Sequence, residues 1–196
     1  MSSSAFARVA PLAAALLIAG CNPDTVLDVP DPDVVRPGTL TGKSALPALR
    51  NGVLGSFQVA YSGGGDLQNG GHEGIIQLAA LFTDEFINAE TFSDRINLDA
   101  RRVTAANGTM VALFLDLSRA RAAASTAARK YAQFDPGAAG HAEMIAIDGF
   151  SHVLFGEHYC SGVPFSTITD DEQLVYGDPQ TRDQMFQTAI AKFDSV

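Results

Sequence analysis

A chain of 196 residues, 46% hydrophobic and 18% charged, is long enough for one domain with a real core and too apolar for a disordered one. Its 22 Asp and Glu outweigh 13 Lys and Arg, for a formal charge of −9, and no basic stripe relieves that balance. Such a surface repels a phosphate backbone, which excludes a nucleic-acid binder. With just two cysteines, Cys21 and Cys160, a disulfide-stapled scaffold is excluded as well.

The first twenty residues have the three parts of an export signal. One cation, Arg8, precedes an apolar stretch from Val9 to Ala19 broken only by Pro11. That stretch is too short for a permanent membrane span. It closes on Leu17-Ile18-Ala19-Gly20-Cys21, which resembles the lipobox of bacterial lipoproteins. Cys21 is therefore expected to carry the lipid and to become the mature first residue, with residues 1–20 removed as the signal peptide. Losing Arg8 moves the formal charge to −10. Residues 21–37 follow as an extended tether, because four aspartates and four prolines between Asn22 and Pro37 forbid a helix or a central strand. Asn22 is not the aspartate that favours inner-membrane retention, so a lipid-anchored outer-membrane protein, exposed on the cell surface, is expected.

From residue 38 to Val196 the apolar spacing predicts an all-α domain of five helices. The first runs from about Ser44 to Tyr61, with Leu46, Leu49, Val53, Phe57 and Ala60 on one face and Pro47 in its first turn. A glycine-rich loop, Ser62 to Gly74, leads to a second helix starting near Glu73 and carrying Ile76, Leu78, Ala79, Leu81 and Phe82. Residues 88–108 read as an irregular excursion. Thr109 is expected to cap a long helix to about Tyr131, striped by Met110, Phe114, Leu117, Ala124 and Ala128, and Asp135-Pro136-Gly137 stops it. The next helix, about Ala139 to Tyr159, is apolar on nearly all sides and is expected inside the bundle. Phe150→Ala within it is expected to cost about 3–5 kcal/mol. Thr181-Arg182-Asp183-Gln184 is a capping-box signature ahead of Met185, Phe186, Ile190 and Phe193. That last helix meets Val196 with no closing glycine or polar tail, so the sequence reads as a fragment of a longer protein, the alternative being a short natural terminus. The third and fourth helices form a hairpin of the size that tetratricopeptide-like arrays use, although the 34-residue consensus is not visible.

Several side-chain groups invite a chemical reading, and each has a plainer one. His152, Glu157, His158 and Cys160 bring metal-ligand types into nine residues, but a six-residue spacing puts the two histidines on opposite sides of a helix. Gly63, Gly64, Gly65, Gly70 and Gly71 lack the Gly-Lys-Ser/Thr that a phosphate loop requires. Adjacent Asp170-Asp171-Glu172 rarely space their oxygens around calcium. Ser151-His152 and Ser161-Gly162 lack a nucleophile elbow, and Asp84 and Glu85 diverge as neighbours on a helix. The expectation is no catalytic residue, no metal and no cofactor.

A family resemblance is carried by several segments in order. Ala142-Glu143-Met144 opens a helix with Gly149-Phe150 at its small-plus-aromatic place, and the turn Tyr159-Cys160-Ser161-Gly162-Val163-Pro164-Phe165 follows. Upstream lie Phe82-Thr83-Asp84-Glu85-Phe86 and the stripe Val111, Phe114, Leu117 and Ala120; downstream, Thr181-Arg182 runs through to Phe193-Asp194. Together these resemble the SusD/RagB-like nutrient-uptake lipoproteins from about Asp28 to Val196. Asp148 stands where that pattern has an arginine, Arg121 where it has an asparagine, and the turn is one residue longer. The resemblance implies a SusD-like helical bundle that binds a glycan or peptide and passes it to a TonB-dependent, SusC-like outer-membrane transporter. A structural helical-repeat adaptor of the envelope, binding no nutrient, is the alternative. No tryptophan occurs, so the sugar-stacking platform usual in the family is missing from this stretch.

Overall fold

The structure is a computed structural model and describes residues 41–64, 73–169, 171 and 173–196, all within the compact unit Pro37–Val196. Cys21, the signal segment and the whole tether lie outside the described residues.

The fold is mostly helical. Six α-helices, α1 (Leu46–Ser62), α2 (Ile75–Phe82), α3 (Ser93–Asp99), α4 (Gly108–Phe134), α5 (Ala139–His158) and α6 (Arg182–Phe193), make a bundle among the described residues. Four strands of two residues each lie between α5 and α6: β1 (Val163–Pro164), β2 (Thr167–Ile168), β3 (Leu174–Val175) and β4 (Pro179–Gln180). They form two antiparallel ladders, β1 with β4 and β2 with β3, a hairpin nested within a wider one. No helix among the described residues is long and apolar enough to cross a membrane.

The four long helices alternate in direction, and the core explains why. One apolar cluster joins Ala60 of α1, Leu113 and Leu117 of α4, Phe155 of α5 and Met185 of α6. The other joins Leu46 and Val53 from the start of α1, Ala127 and Tyr131 from the end of α4, and Met144 from the start of α5. Helices α1, α4 and α5 thus each cross from one cluster to the other, and α6 runs back along α5, with Phe186 against Gly156 and Phe193 against Gly149. Buried positions on α4, such as Leu113, Leu117, Ala120, Ala124 and Ala127, keep the three- and four-residue step of one helical face. Small alanines there let α1 and α5 approach closely.

The expected helices appear with several corrections. The excursion 88–108 is not irregular throughout: it contains α3, whose Leu98 is 2% exposed and belongs to the core. Polar ties hold α3 in place. Asp94 Oδ2 accepts from the Gly108 amide at 2.7 Å, and Asn107 Nδ2 donates to the Asp94 carbonyl at 2.9 Å. The same Asn107, not Thr109, caps α4, its Oδ1 accepting from the Met110 amide at 3.0 Å. The cap of α4 therefore lies two residues earlier, and its end three residues later, than expected. The capping box of α6 is present in both directions, with Thr181 accepting from the Gln184 amide and Gln184 Oε1 accepting from the Thr181 amide.

Several apolar assignments fail. Ile76, Phe82 and Ile190 are about half exposed, and Phe150 and Phe193 are each 38% exposed. Helix α5 does sit between α4 and α6, but Phe150 looks outward and leans on Phe57 and Tyr61, at 5.9 and 6.3 Å between ring centroids. A half-covered ring loses less on truncation than a core one. Phe150→Ala is accordingly expected to cost about 1–2 kcal/mol rather than 3–5, measured by urea unfolding.

Between α5 and α6 the contact is by glycine. A Cβ on Gly149 would stand 2.9 Å from the Phe193 ring, and one on Gly156 would stand 2.8 Å from Phe186. Both pairs are seven residues apart, so two rings of α6 seat in two hollows of α5.

Candidate functional site

The C-terminal end of α5 borders a cleft in the surface of the bundle. One lobe, of about 410 Å³, lies between α2, α3 and the start of α4. A second, of about 480 Å³, reaches toward Phe114, Tyr159 and Cys160. The lobes share Val103, Met110 and His158, so they meet around those three side chains. The first lobe is floored by Leu78, Leu98 and Leu113, each 2% exposed, so its base is the core itself. Its rim carries Thr83, Glu157 and His158.

Burial pushes the His158 imidazole below its ordinary pKa, with the Glu157 carboxylate pulling the other way. The ring is therefore neutral near pH 7. His158 Nε2 is 3.9 Å from Glu157 Oε2, beyond a hydrogen bond. Thr83 Oγ1 donates to the Ala79 carbonyl at 3.0 Å and keeps its lone pairs free to accept. Tyr159 closes α5 by donating to the Met110 carbonyl at 2.9 Å, and burial pushes its phenol pKa up, so it stays protonated. Cys160 is exposed, in no disulfide among the described residues, and in a left-handed turn at φ 60°.

A second polar group lies inside the bundle. Asp148 is 2% and His152 3% exposed, Arg121 6%. Asp148 Oδ2 accepts from Lys192 Nζ of α6 at 2.7 Å. His152 Nδ1 is shared between the Asp148 carbonyl, at 2.8 Å, and Oδ1, at 3.4 Å, and the shorter contact leaves Oδ1 without a well-aligned partner. Burial would raise the Asp148 pKa, but the hydrogen bonds and charges of His152 and Lys192 outweigh it and hold the carboxyl below its ordinary value. For Arg121, burial lowers the pKa while Asp148 supports its charge. Its guanidinium donates to the Ser166 carbonyl and lies 5.6 Å from the centre of the Phe165 ring, which also tilts against His152 at 4.3 Å between centroids. These charges tie α4, α5, α6 and the strand segment together.

The structure separates the metal-ligand candidates. His152 belongs to the buried charge group, while His158 lines the cleft, and no cluster of three or more His, Cys, Asp or Glu able to hold a metal occurs among the described residues. Ser151 donates to the Ile147 carbonyl at 2.8 Å inside the core, away from any cleft. Asp84 pairs with Arg101 on the surface, and Glu85 beside it is exposed. Asp171 accepts from Thr169 in the turn between β2 and β3; Asp170 and Glu172 lie outside the described residues, as do Gly65, Gly70 and Gly71. Sequence reasoning missed the cleft, whose walls come from four separate stretches. It did single out Arg121 and Asp148, though not as neighbours. No protein-family model, curated protein or solved structure matches the chain.

Proposed function

We propose that this chain is a lipid-anchored outer-membrane protein of the SusD/RagB-like kind, which binds a glycan or peptide nutrient and delivers it to a TonB-dependent transporter. One observation carries the reading: Ile18-Ala19-Gly20-Cys21 closes an apolar leader ahead of a mostly helical domain. The order of the segments that resemble the family supports it, and so does the antiparallel pairing of α4 with α5, which we read as a tetratricopeptide-like hairpin. A lipid tether confines the domain to the membrane plane and raises its effective concentration for a partner there, so a modest interface suffices. The protein acts by docking, without catalysis.

Metabolic labelling with a fatty acid is expected to mark the wild type and spare Cys21→Ala; equal labelling of both refutes the anchor. Purification from native membranes in mild detergent is expected to bring down a TonB-dependent barrel. The adaptor reading draws on the successive hairpins and on a chain without tryptophan. It gains if the partners are other envelope proteins and deleting the gene leaves nutrient uptake unchanged.

A further inference from the structure

We propose that the cleft around His158 binds a small apolar molecule carrying one hydrogen-bond donor at its end, an alcohol or a primary ammonium. This goes beyond the reading above, which assigns no ligand to the cleft.

Size and surface come first. A lobe of about 410 Å³ joined to one of about 480 Å³ falls in the range of small-molecule sites, about 300–1,000 Å³. The floor offers only apolar side chains. A free sugar laid there would bury hydroxyls against Leu78, Leu98 and Leu113 with no partners, an unfavourable exchange for water. An aliphatic body loses nothing by the same burial and gains by leaving water.

The rim then selects the head group. Glu157 presents a carboxylate, and Thr83 has already spent its proton on the Ala79 carbonyl. The neutral His158 ring has no hydrogen bond within the described residues, so one of its nitrogens is free to accept. All three groups can accept; the second His158 nitrogen carries an N–H, and the Thr104 hydroxyl and Cys160 thiol line the other lobe, so donors are present too, but the rim's one charge is the Glu157 carboxylate. Among the described residues, no lysine or arginine lines either lobe. A carboxylate or phosphate head would face Glu157 without a counter-charge, whereas a hydroxyl or ammonium would complete the rim.

The test uses the mature chain, residues 21–196, bearing Cys21→Ala, which lacks both the apolar leader and the acyl chain and so needs no detergent to compete for the probes. Titration calorimetry and saturation-transfer NMR compare 1-octanol, octylamine and octanoate at pH 7.5. Octanol and octylamine are expected to bind saturably, and octanoate about tenfold more weakly or worse. Val103 is partly exposed in an irregular stretch and touches both lobes, so Val103→Trp should fill their junction and abolish binding with the helical circular dichroism intact. Glu157 is an exposed helical residue, and Glu157→Gln should bring octanoate to within about twofold of octanol. The proposal is overturned if no probe binds, if octanoate equals octanol on the unsubstituted rim, or if a folded Val103→Trp chain binds unchanged. Should Val103→Trp not fold, the Glu157→Gln result decides alone. Neither acyl chain nor transporter is present in this assay, so its failure is distinct from failure of the labelling and co-purification.

Discussion

Phe155→Ala is expected to lower the unfolding free energy by about 3–5 kcal/mol, a fifth or more of what a typical domain possesses, about 5–15 kcal/mol. The ring is fully buried and meets three other rings. Phe114 and Phe165 present edges to it at 5.5 and 5.3 Å, and Tyr159 tilts against it at 5.8 Å. Those neighbours come from α4, from the strand segment and from the end of α5 itself. They are held by backbone hydrogen bonds and cannot all move in to fill the space. A residual void is what raises the cost above simple transfer. Equilibrium urea unfolding of both proteins measures the difference, and a loss below about 1 kcal/mol would mean the ring is not central. Phe150, five residues earlier on the same helix, provides the internal contrast.

Replacing Asp148 by Asn is expected to be comparably severe, about 3–5 kcal/mol at pH 7, because it removes the anion from a buried group of cations. Lys192 is part exposed and can swing toward water, but Arg121 is enclosed, with Nε buried and unpartnered. Adding Arg121→Met to the Asp148→Asn protein should recover part of the loss by removing the stranded cation. The pH dependence has a definite sign. The folded carboxyl titrates below its ordinary value, so its contribution is complete above the ordinary carboxylate range and disappears as pH falls through the depressed value. The gap between wild type and variant should therefore be widest at neutral pH and close on acidification past about pH 4. A gap independent of pH would assign the effect to packing.

How much of this was legible depended on whether the signal was local. Helix α6 announces itself, since Thr181 and Gln184 are both the right types at the right spacing and make both bonds. Helix α4 was legible in extent, but Asn107 and Thr109 are both capping types. What favours Asn107 is its second bond to Asp94, thirteen residues away. Helix α3 has seven residues and one buried side chain, too few for a period to emerge, and its support is tertiary. Phe150 misled because an all-round apolar helix does not declare which flank its neighbours leave open. Arg121 and Asp148 were visible as two departures from one pattern, opposite in sign to each other. That they meet depends on the register of α4 against α5, which no local spacing encodes. The cleft was invisible for the same reason.

The two rings of α6 seated over Gly149 and Gly156 act as a vernier between the helices. Sliding α6 by one turn would move both rings off their hollows together and onto residues with side chains, so intermediate offsets are penalised twice. Inserting one residue between Gly149 and Gly156 would leave only one ring seated at any offset. The spacing thus works as a length standard, and it fixes the position of Lys192 against Asp148 along the shared axis.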